Sequence, residues 1–265
     1  MVDAERRAQG GDVPQRNRHL VFSGDPGTGK TTMAEEIGQL YNALGLLPTD
    51  KFHKVSGAEL IDRYQNGTPR RVREEFDKAK GGVLFIDEAY GMKTGSQNEA
   101  GQQAVDTLVN LIQAKNNDTV VILAGYPQQI DELFAMNSGM DRRFPTTINF
   151  EPFDHEERVQ IMGRAMKRAG MGFKADSGVR EALMDAVLDT GSGNAGDVEN
   201  LWDKIAQAHT NRVASELGGL DEKARREALR YVTLDDVRNG QRAFVESARV
   251  AAPIRGYLVP KKRAS

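Results

Sequence analysis

Three short stretches carry the residue types that phosphate chemistry needs. Gly24-Asp25-Pro26-Gly27-Thr28-Gly29-Lys30-Thr31 has the spacing G-x-x-x-x-G-K-[ST]. Its glycines let backbone N–H groups turn inward around an anion, and the helix that follows presents the positive end of its dipole to the same place. Lys30 is positioned to reach the β- and γ-phosphates of a nucleotide, and Thr31 to hold Mg²⁺. Asp25, Pro26, Gly27, Thr28, Gly29 and Thr32 complete the nucleotide-contacting set. The glycine order, G-x-x-G-x-G, departs from the dinucleotide fingerprint G-x-G-x-x-G, so a dinucleotide is the poorer ligand.

The second stretch is Val83-Leu84-Phe85-Ile86-Asp87-Glu88. Four consecutive apolar residues are what a strand buried on both faces requires, and open α/β sheets collect ligands at the carboxyl ends of their strands. The two acids then face the phosphate loop. Asp87 is assigned to the metal, through water, and Glu88 to orienting and polarising an attacking water. The third stretch is Asp141-Arg142-Arg143-Phe144. Adjacent arginines in a loop are most often solvated. Arginine is also the side chain that stabilises charge on a transferring γ-phosphoryl, and in ring-forming nucleotidases a neighbour supplies it in trans.

Holding these residues requires a parallel sheet with helices between its strands. The sequence predicts strands at 20–22, 52–55, 83–86, 120–124 and 147–150, alternating with helices. After the phosphate loop, Met33, Ile37, Leu40, Tyr41 and Leu44 recur at helical spacing and predict the face that packs on the sheet. Ser56-Gly57-Ala58-Glu59 matches a capping box and opens a helix expected to end near Tyr64. Thr68-Pro69 reads as an N-cap followed by proline. The next helix would bury Val72, Phe76 and Ala79 and leave Arg70, Arg71, Arg73, Glu74, Glu75 and Asp77 mostly wet. A helix over about 102–114 buries Val105, Leu108, Val109 and Ile112. Another spans about 128–136. From Phe153 the strand signal disappears, and helices are expected at about 154–168, 178–189, 197–217, 222–230 and 234–247. The third of these would bury Val198, Leu201, Ile205, Ala208 and Val213. The domains expected are a polar leader (1–17), a large αβα unit (18–152), a small all-helical unit (153–247) and a basic tail (248–265) containing Lys261-Lys262-Arg263.

Composition narrows the function classes. A net charge of −2, from 36 basic and 38 acidic residues, provides no global field for nucleic acid or an acidic membrane. Without cysteine there are no disulfides, thiolate nucleophiles or cysteine-based zinc sites. His19, His53, His155 and His209 lie far apart and read as structural or solvated rather than as metal ligands. No signal-peptide core precedes Arg18 and no apolar run approaches membrane-spanning length, so a cytoplasmic location is expected.

Phosphate loop, acidic strand end, late arginine and appended helices, in that order, resemble an AAA+ ATPase. Gly81-Gly82-Val83-Leu84-Phe85-Ile86-Asp87-Glu88-Ala89-Tyr90, Val121-Ile122-Leu123-Ala124-Gly125-Tyr126 and Gly193-Asn194-Ala195 are similar to its CbbX/SpoVK-like branch, with the red-type Rubisco activase, SpoVK and type VII secretion EccA relatives. The likeness covers residues 18 to 215. It implies an α/β P-loop NTPase fold with a five-stranded parallel sheet and a helical lid, Mg²⁺-dependent ATP hydrolysis, a hexameric ring and a protein client. Lys30 and Thr31 match Walker A, and Asp87 and Glu88 match Walker B. Arg143 matches the trans arginine finger, with Arg142 the next candidate. Tyr64, within Arg63-Tyr64-Gln65-Asn66-Gly67-Thr68, falls at the central-pore aromatic. Tyr126 stands at the sensor-1 position. Where relatives usually carry the sensor-2 arginine this chain has Gly196, and Glu199 replaces a second usual arginine. Only about eighteen residues precede the first strand, where relatives have a helical segment beside the adenine, which predicts a shortened form or a fragment. Two other readings follow from the residues: a nucleotide-gated assembly switch with slow hydrolysis, and, less favoured, a DNA loader using the basic tail.

Overall fold

The computed structural model describes residues 17–62, 64, 67–93, 98–114, 117–175, 177–191 and 194–257. The leader up to residue 16, Arg63, Gln65, Asn66, Gly193 and the basic Lys261-Lys262-Arg263 lie outside them. The chain divides into two compact units, Met1–Glu151 and Pro152–Ser265.

The first unit is built on five parallel strands: β1 (Leu20–Gly24), β2 (Phe52–Ser56), β3 (Val83–Asp87), β4 (Val120–Gly125) and β5 (Thr146–Phe150). Their order is β2-β3-β4-β1-β5. β4 is buried along its whole length, whereas β5, at one edge, is mostly open. Successive residues of a strand face opposite sides of a sheet, and β3 shows the consequence. Leu84 and Ile86 enter a core with Val21, Val121, Leu123, Val105 and Leu108, while Val83 and Phe85 enter another with Phe22, Ile122 and Ala34. Helices therefore cover both faces. They are α1 (Lys30–Ala43), α2 (Thr68–Lys78), α3 (Asn98–Ile112), α4 (Pro127–Phe134) and a single turn, α5 (Met140–Arg143).

Several local expectations are corrected. α1 buries Ala34 and Gly38, with Ile37 and Tyr41 partly covered, and leaves Met33, Leu40 and Leu44 exposed. Small residues decide this face because the helix lies so close to the sheet that a Cβ on Gly38 would stand 3.1 Å from Val83 Cγ2. The capping-box helix is one 3-10 turn, Gly57–Leu60, held by the Ser56 N–H donating to Glu59 Oε2 at 2.8 Å. Ile61 then adopts extended backbone, leaving Tyr64 in a loop. α2 starts one residue early: Gly67 is its N-cap, and Thr68 Oγ1 accepts the Asp62 N–H at 3.1 Å. α3 buries Val105, Leu108, Val109 and Ile112 as expected.

Glu75, expected to be wet, is only 3% exposed. Lys78 donates to it at 2.8 Å, Arg71 lies 3.5 Å away, and His53 of β2 hydrogen-bonds it at 2.7 Å. Burial pushes its carboxyl up, but the hydrogen bonds from Lys78 and His53 outweigh that and hold it below the usual range.

His19, just before β1, is also buried, and its Nδ1 accepts the Val121 N–H at 2.9 Å. That bond requires an unprotonated Nδ1. Burial, and secondarily the charge of Arg18, lowers its pKa from 6.5 to about 4. Between these values the unfolded chain binds a proton that the folded one refuses, so stability falls as pH drops from 6.5 toward 4. The expected loss is about 3 kcal/mol at most. Denaturant midpoints across that window should show it, and His19→Asn, whose Oδ1 can take the same bond without titrating, should flatten the slope.

The second unit is helical: α6 (His155–Arg168), α7 (Val179–Leu188), α8 (Ala195–Glu216), α9 (Glu222–Arg230) and α10 (Leu234–Tyr257). Asp154 and Glu157 cap α6 reciprocally, at 2.8 and 2.9 Å. Val198, Leu201, Ile205 and Val213 of α8 are buried as expected, whereas Ala208 is only half-buried. Trp202 and His209 join that face, His209 through a 3.0 Å hydrogen bond with the Ala228 carbonyl. Residues from 248 onward, expected as tail, continue α10 through Pro253 to Tyr257.

Candidate functional site

The phosphate loop leaves β1 at Gly24 and enters α1 at Lys30. Gly29, the α1 N-cap, has φ 88° and ψ 10°. This left-handed conformation is one that a residue with a Cβ adopts only at a cost. Gly24 is required for space, since a Cβ there would stand 2.2 Å from the Phe150 carbonyl oxygen of β5. Thr28 Oγ1 donates to the Asp25 carbonyl at 2.8 Å and closes the loop. Lys30 Nζ folds across it, donating to the carbonyls of Gly24 at 2.9 Å and Asp25 at 2.5 Å. Burial lowers the Lys30 pKa, partly offset by the charges of Asp87 and Asp25.

Asp87 ends β3, and β4 alone separates its strand from β1. One carboxylate oxygen, Oδ1, accepts the Glu88 N–H at 3.0 Å. The other, Oδ2, meets the Lys54 ammonium of β2 at 2.9 Å, and that ammonium also donates to Thr31 Oγ1 at 3.4 Å. The two residues assigned to the metal therefore converge on one cation. A hydroxyl and a carboxylate are hard oxygen donors of the kind Mg²⁺ takes alongside substrate phosphates. Among the described residues there is no group of three His, Cys, Asp or Glu side chains that would hold a metal unaided. The donor set fits the ion.

Glu88 has φ 46° and ψ 49° and is the one described non-glycine residue with positive φ. Such a backbone costs about 1–3 kcal/mol and persists where its surroundings impose it. Here the Gly91 N–H donates to the Glu88 carbonyl at 2.7 Å. The bend takes Glu88 out of line with β3 and leaves its side chain exposed. Tyr90, two residues on, lies beside Glu88; burial first and then the Glu88 carboxylate raise its phenol above the usual range. Its ring packs against Tyr126, which caps α4, with centroids 6.1 Å apart. The structure thus brings Tyr126 toward Glu88 through Tyr90.

The arginines stand elsewhere. They occupy the α5 turn rather than a loop. Arg143 is half-buried and donates to the Gly139 carbonyl at 3.1 Å. It lines a cavity of about 410 Å³ with Arg18, His19, Gln113 and Thr119. Those residues precede β1 and β4 or end α3, so Arg143 lies at the amino ends of the strands, away from this chain's own Lys30 and Asp87. Arg142 is exposed, and its carbonyl accepts from Asn17 Nδ2 at 2.6 Å. Tyr64 is 81% exposed; its N–H donates to Asp62 Oδ1 at 2.9 Å and its carbonyl accepts the Gly67 N–H at 3.0 Å. In the helical unit, a Cβ on Gly196 would meet nothing within 4 Å, and Glu199 pairs with Arg168 at 3.2 Å.

Two residues at the site were not anticipated. Tyr90 carried a signal, since it follows Glu88 by two positions. Lys54 carried none, because only the parallel pairing of β2 with β3 sets it beside Asp87.

Residues 20–149 match the family described as the ATPase family associated with various cellular activities (AAA). The chain is 31% identical to stage V sporulation protein K of Bacillus subtilis, over 80% of this chain and 67% of that protein. It is 31% identical to plasmid-encoded CbxX of Cupriavidus necator, over 95% of this chain and 79% of that one. Against the ESX-3 secretion system protein EccA3 of Mycolicibacterium smegmatis it is 37% identical over 77% of its length but spans only 31% of the relative. The FIGL-1 AAA domain has the same fold, with a TM-score of 0.60 at 16% identity over 94% of this chain and 81% of that domain. Its complex with ADP gives a TM-score of 0.60 at 20% identity, over 94% and 77%. The chain therefore belongs to the AAA ATPases, in the branch that includes stage V sporulation protein K and CbxX.

Proposed function

We propose that this ATPase works in the cytoplasm as a hexameric ring that uses hydrolysis to pull or reshape a protein partner. Tyr64 carries the reading. An aromatic side chain 81% exposed, on a residue whose backbone bonds Asp62 and Gly67, is suited to gripping a polypeptide. Arg143 supports the ring: it stands at the strand ends opposite its own phosphate loop, so a γ-phosphate it serves belongs to a neighbouring copy, and it leaves the Gly139 carbonyl to reach one.

In this mechanism the loop amides and Lys30 hold the β- and γ-phosphates, and Lys30 leaves the carbonyls of Gly24 and Asp25 to do so. Thr31, and Asp87 through water, would hold Mg²⁺, which would supply neutralisation of the phosphate charge. Glu88 orients water for attack, and Tyr90 and Tyr126 set the position of its carboxylate. The neighbour's Arg143 stabilises the charge that builds on the γ-phosphoryl.

A Glu88→Gln chain with ATP should retain its partner in a pull-down. Adding Tyr64→Ala should release that partner while fluorescent-nucleotide binding persists, and adding Tyr64→Phe should keep it. Equal retention with alanine would remove Tyr64 from the grip. A second reading, an assembly switch that turns over slowly, draws on Gly196 and on Glu199, which is engaged by Arg168. Phosphate release per chain separates them: a motor gains specific activity as concentration drives assembly, whereas a switch assembles without the gain.

A further inference from the structure

Lys54 is not part of the phosphate loop, yet its ammonium stands 2.9 Å from Asp87 Oδ2 and 3.4 Å from Thr31 Oγ1, the two side chains assigned to the metal. It reaches them from the edge strand β2, where it pairs in register with Phe85 and lies 5.8 Å above that ring. The side chain is 48% exposed, which leaves it room to withdraw. An ammonium on a four-carbon stem is a mobile, strongly hydrated point charge. A divalent cation held by Thr31, and by Asp87 through water, would stand close to this ammonium and repel it strongly.

We propose that Lys54 is a built-in counter-cation of the metal position. It neutralises Asp87 until a nucleotide arrives with its metal, and is then displaced. When a nucleotide arrives without metal, the same charge supports its phosphates. The proposal rests on the assignment of Thr31 and Asp87 to the metal and is independent of the ring, the partner and Tyr64. Its consequence is a nucleotide affinity that depends less on Mg²⁺ than that of a site without this lysine, because part of the metal's electrostatic contribution is already present.

The test is a binding titration of the full chain with fluorescently labelled ADP, in Mg²⁺ and in EDTA, read as the ratio of the two dissociation constants. Lys54→Met should raise that ratio by about fivefold, chiefly by weakening binding in EDTA, as expected for loss of a half-exposed charge contact. Lys54→Arg, which keeps the charge, should stay within about twofold of the wild type. A Lys54→Met ratio equal to the wild-type ratio overturns the proposal, as does an arginine variant that matches methionine. No binding by the wild-type chain in either buffer would overturn the phosphate-site assignment and this proposal with it.

Discussion

Glu88→Gln is expected to bind ATP with wild-type affinity and to lose turnover by about two to four orders of magnitude. Glutamine keeps the length of the side chain and an oxygen for a hydrogen bond, but it carries no charge with which to polarise water. Its cost to the fold should be small. The left-handed backbone at Glu88 is imposed by its neighbours, including the Gly91 N–H on its carbonyl, and glutamine meets the same backbone cost as glutamate. Steady-state phosphate release and a fluorescent-nucleotide titration on one preparation decide the matter. Turnover at the normal rate would remove Glu88 from the chemistry. Lost affinity together with lost turnover would make it a binding residue.

Arg143→Ala should likewise keep nucleotide binding and lower turnover by about three orders of magnitude or more. The informative experiment mixes this variant with Glu88→Gln. In a head-to-tail ring each Arg143→Ala chain still has Glu88, and each Glu88→Gln chain still has Arg143. Random mixing in equal amounts then rebuilds a complete site at about a quarter of the interfaces. Activity should reappear in the mixture although neither variant has it. A finger acting within its own chain gives no recovery. Arg143 also bonds the Gly139 carbonyl, so alanine carries a structural cost of about 1 kcal/mol, and an unfolding curve should accompany the kinetics. Arg142→Ala is the comparison: its side chain is exposed, and its effect on turnover should be much smaller.

The parts of the molecule legible in the chain were those whose signals are local. The phosphate loop is eight consecutive residues whose glycine positions follow from backbone geometry. β3 and β4 are apolar runs bounded by Gly-Gly and Gly-Tyr, so their location and full burial follow from composition over five or six residues. The buried faces of α2 and α3 repeat at helical spacing. Glu75 failed the same reasoning because its burial depends on His53, twenty-two residues earlier on strand β2, supplying a partner. α1 failed for a related reason. Leu40 and Met33 are more apolar than Gly38, but the spacing between helix and sheet favours the residue with no side chain.

By itself, then, the sequence determined that a phosphate-loop pattern joins a strand to a helix, that two acids end a buried strand, and that helices follow the sheet. Each of these is written in neighbouring residues. Tertiary structure decided which charges meet. Parallel pairing of β2 with β3 sets Lys54 against Asp87 and Thr31, packing bends Glu88 into a left-handed turn beside Tyr90, and the strand ends separate Arg143 from its own phosphate loop. Distances between side chains remote in sequence depend on register and crossing, and no local pattern encodes them.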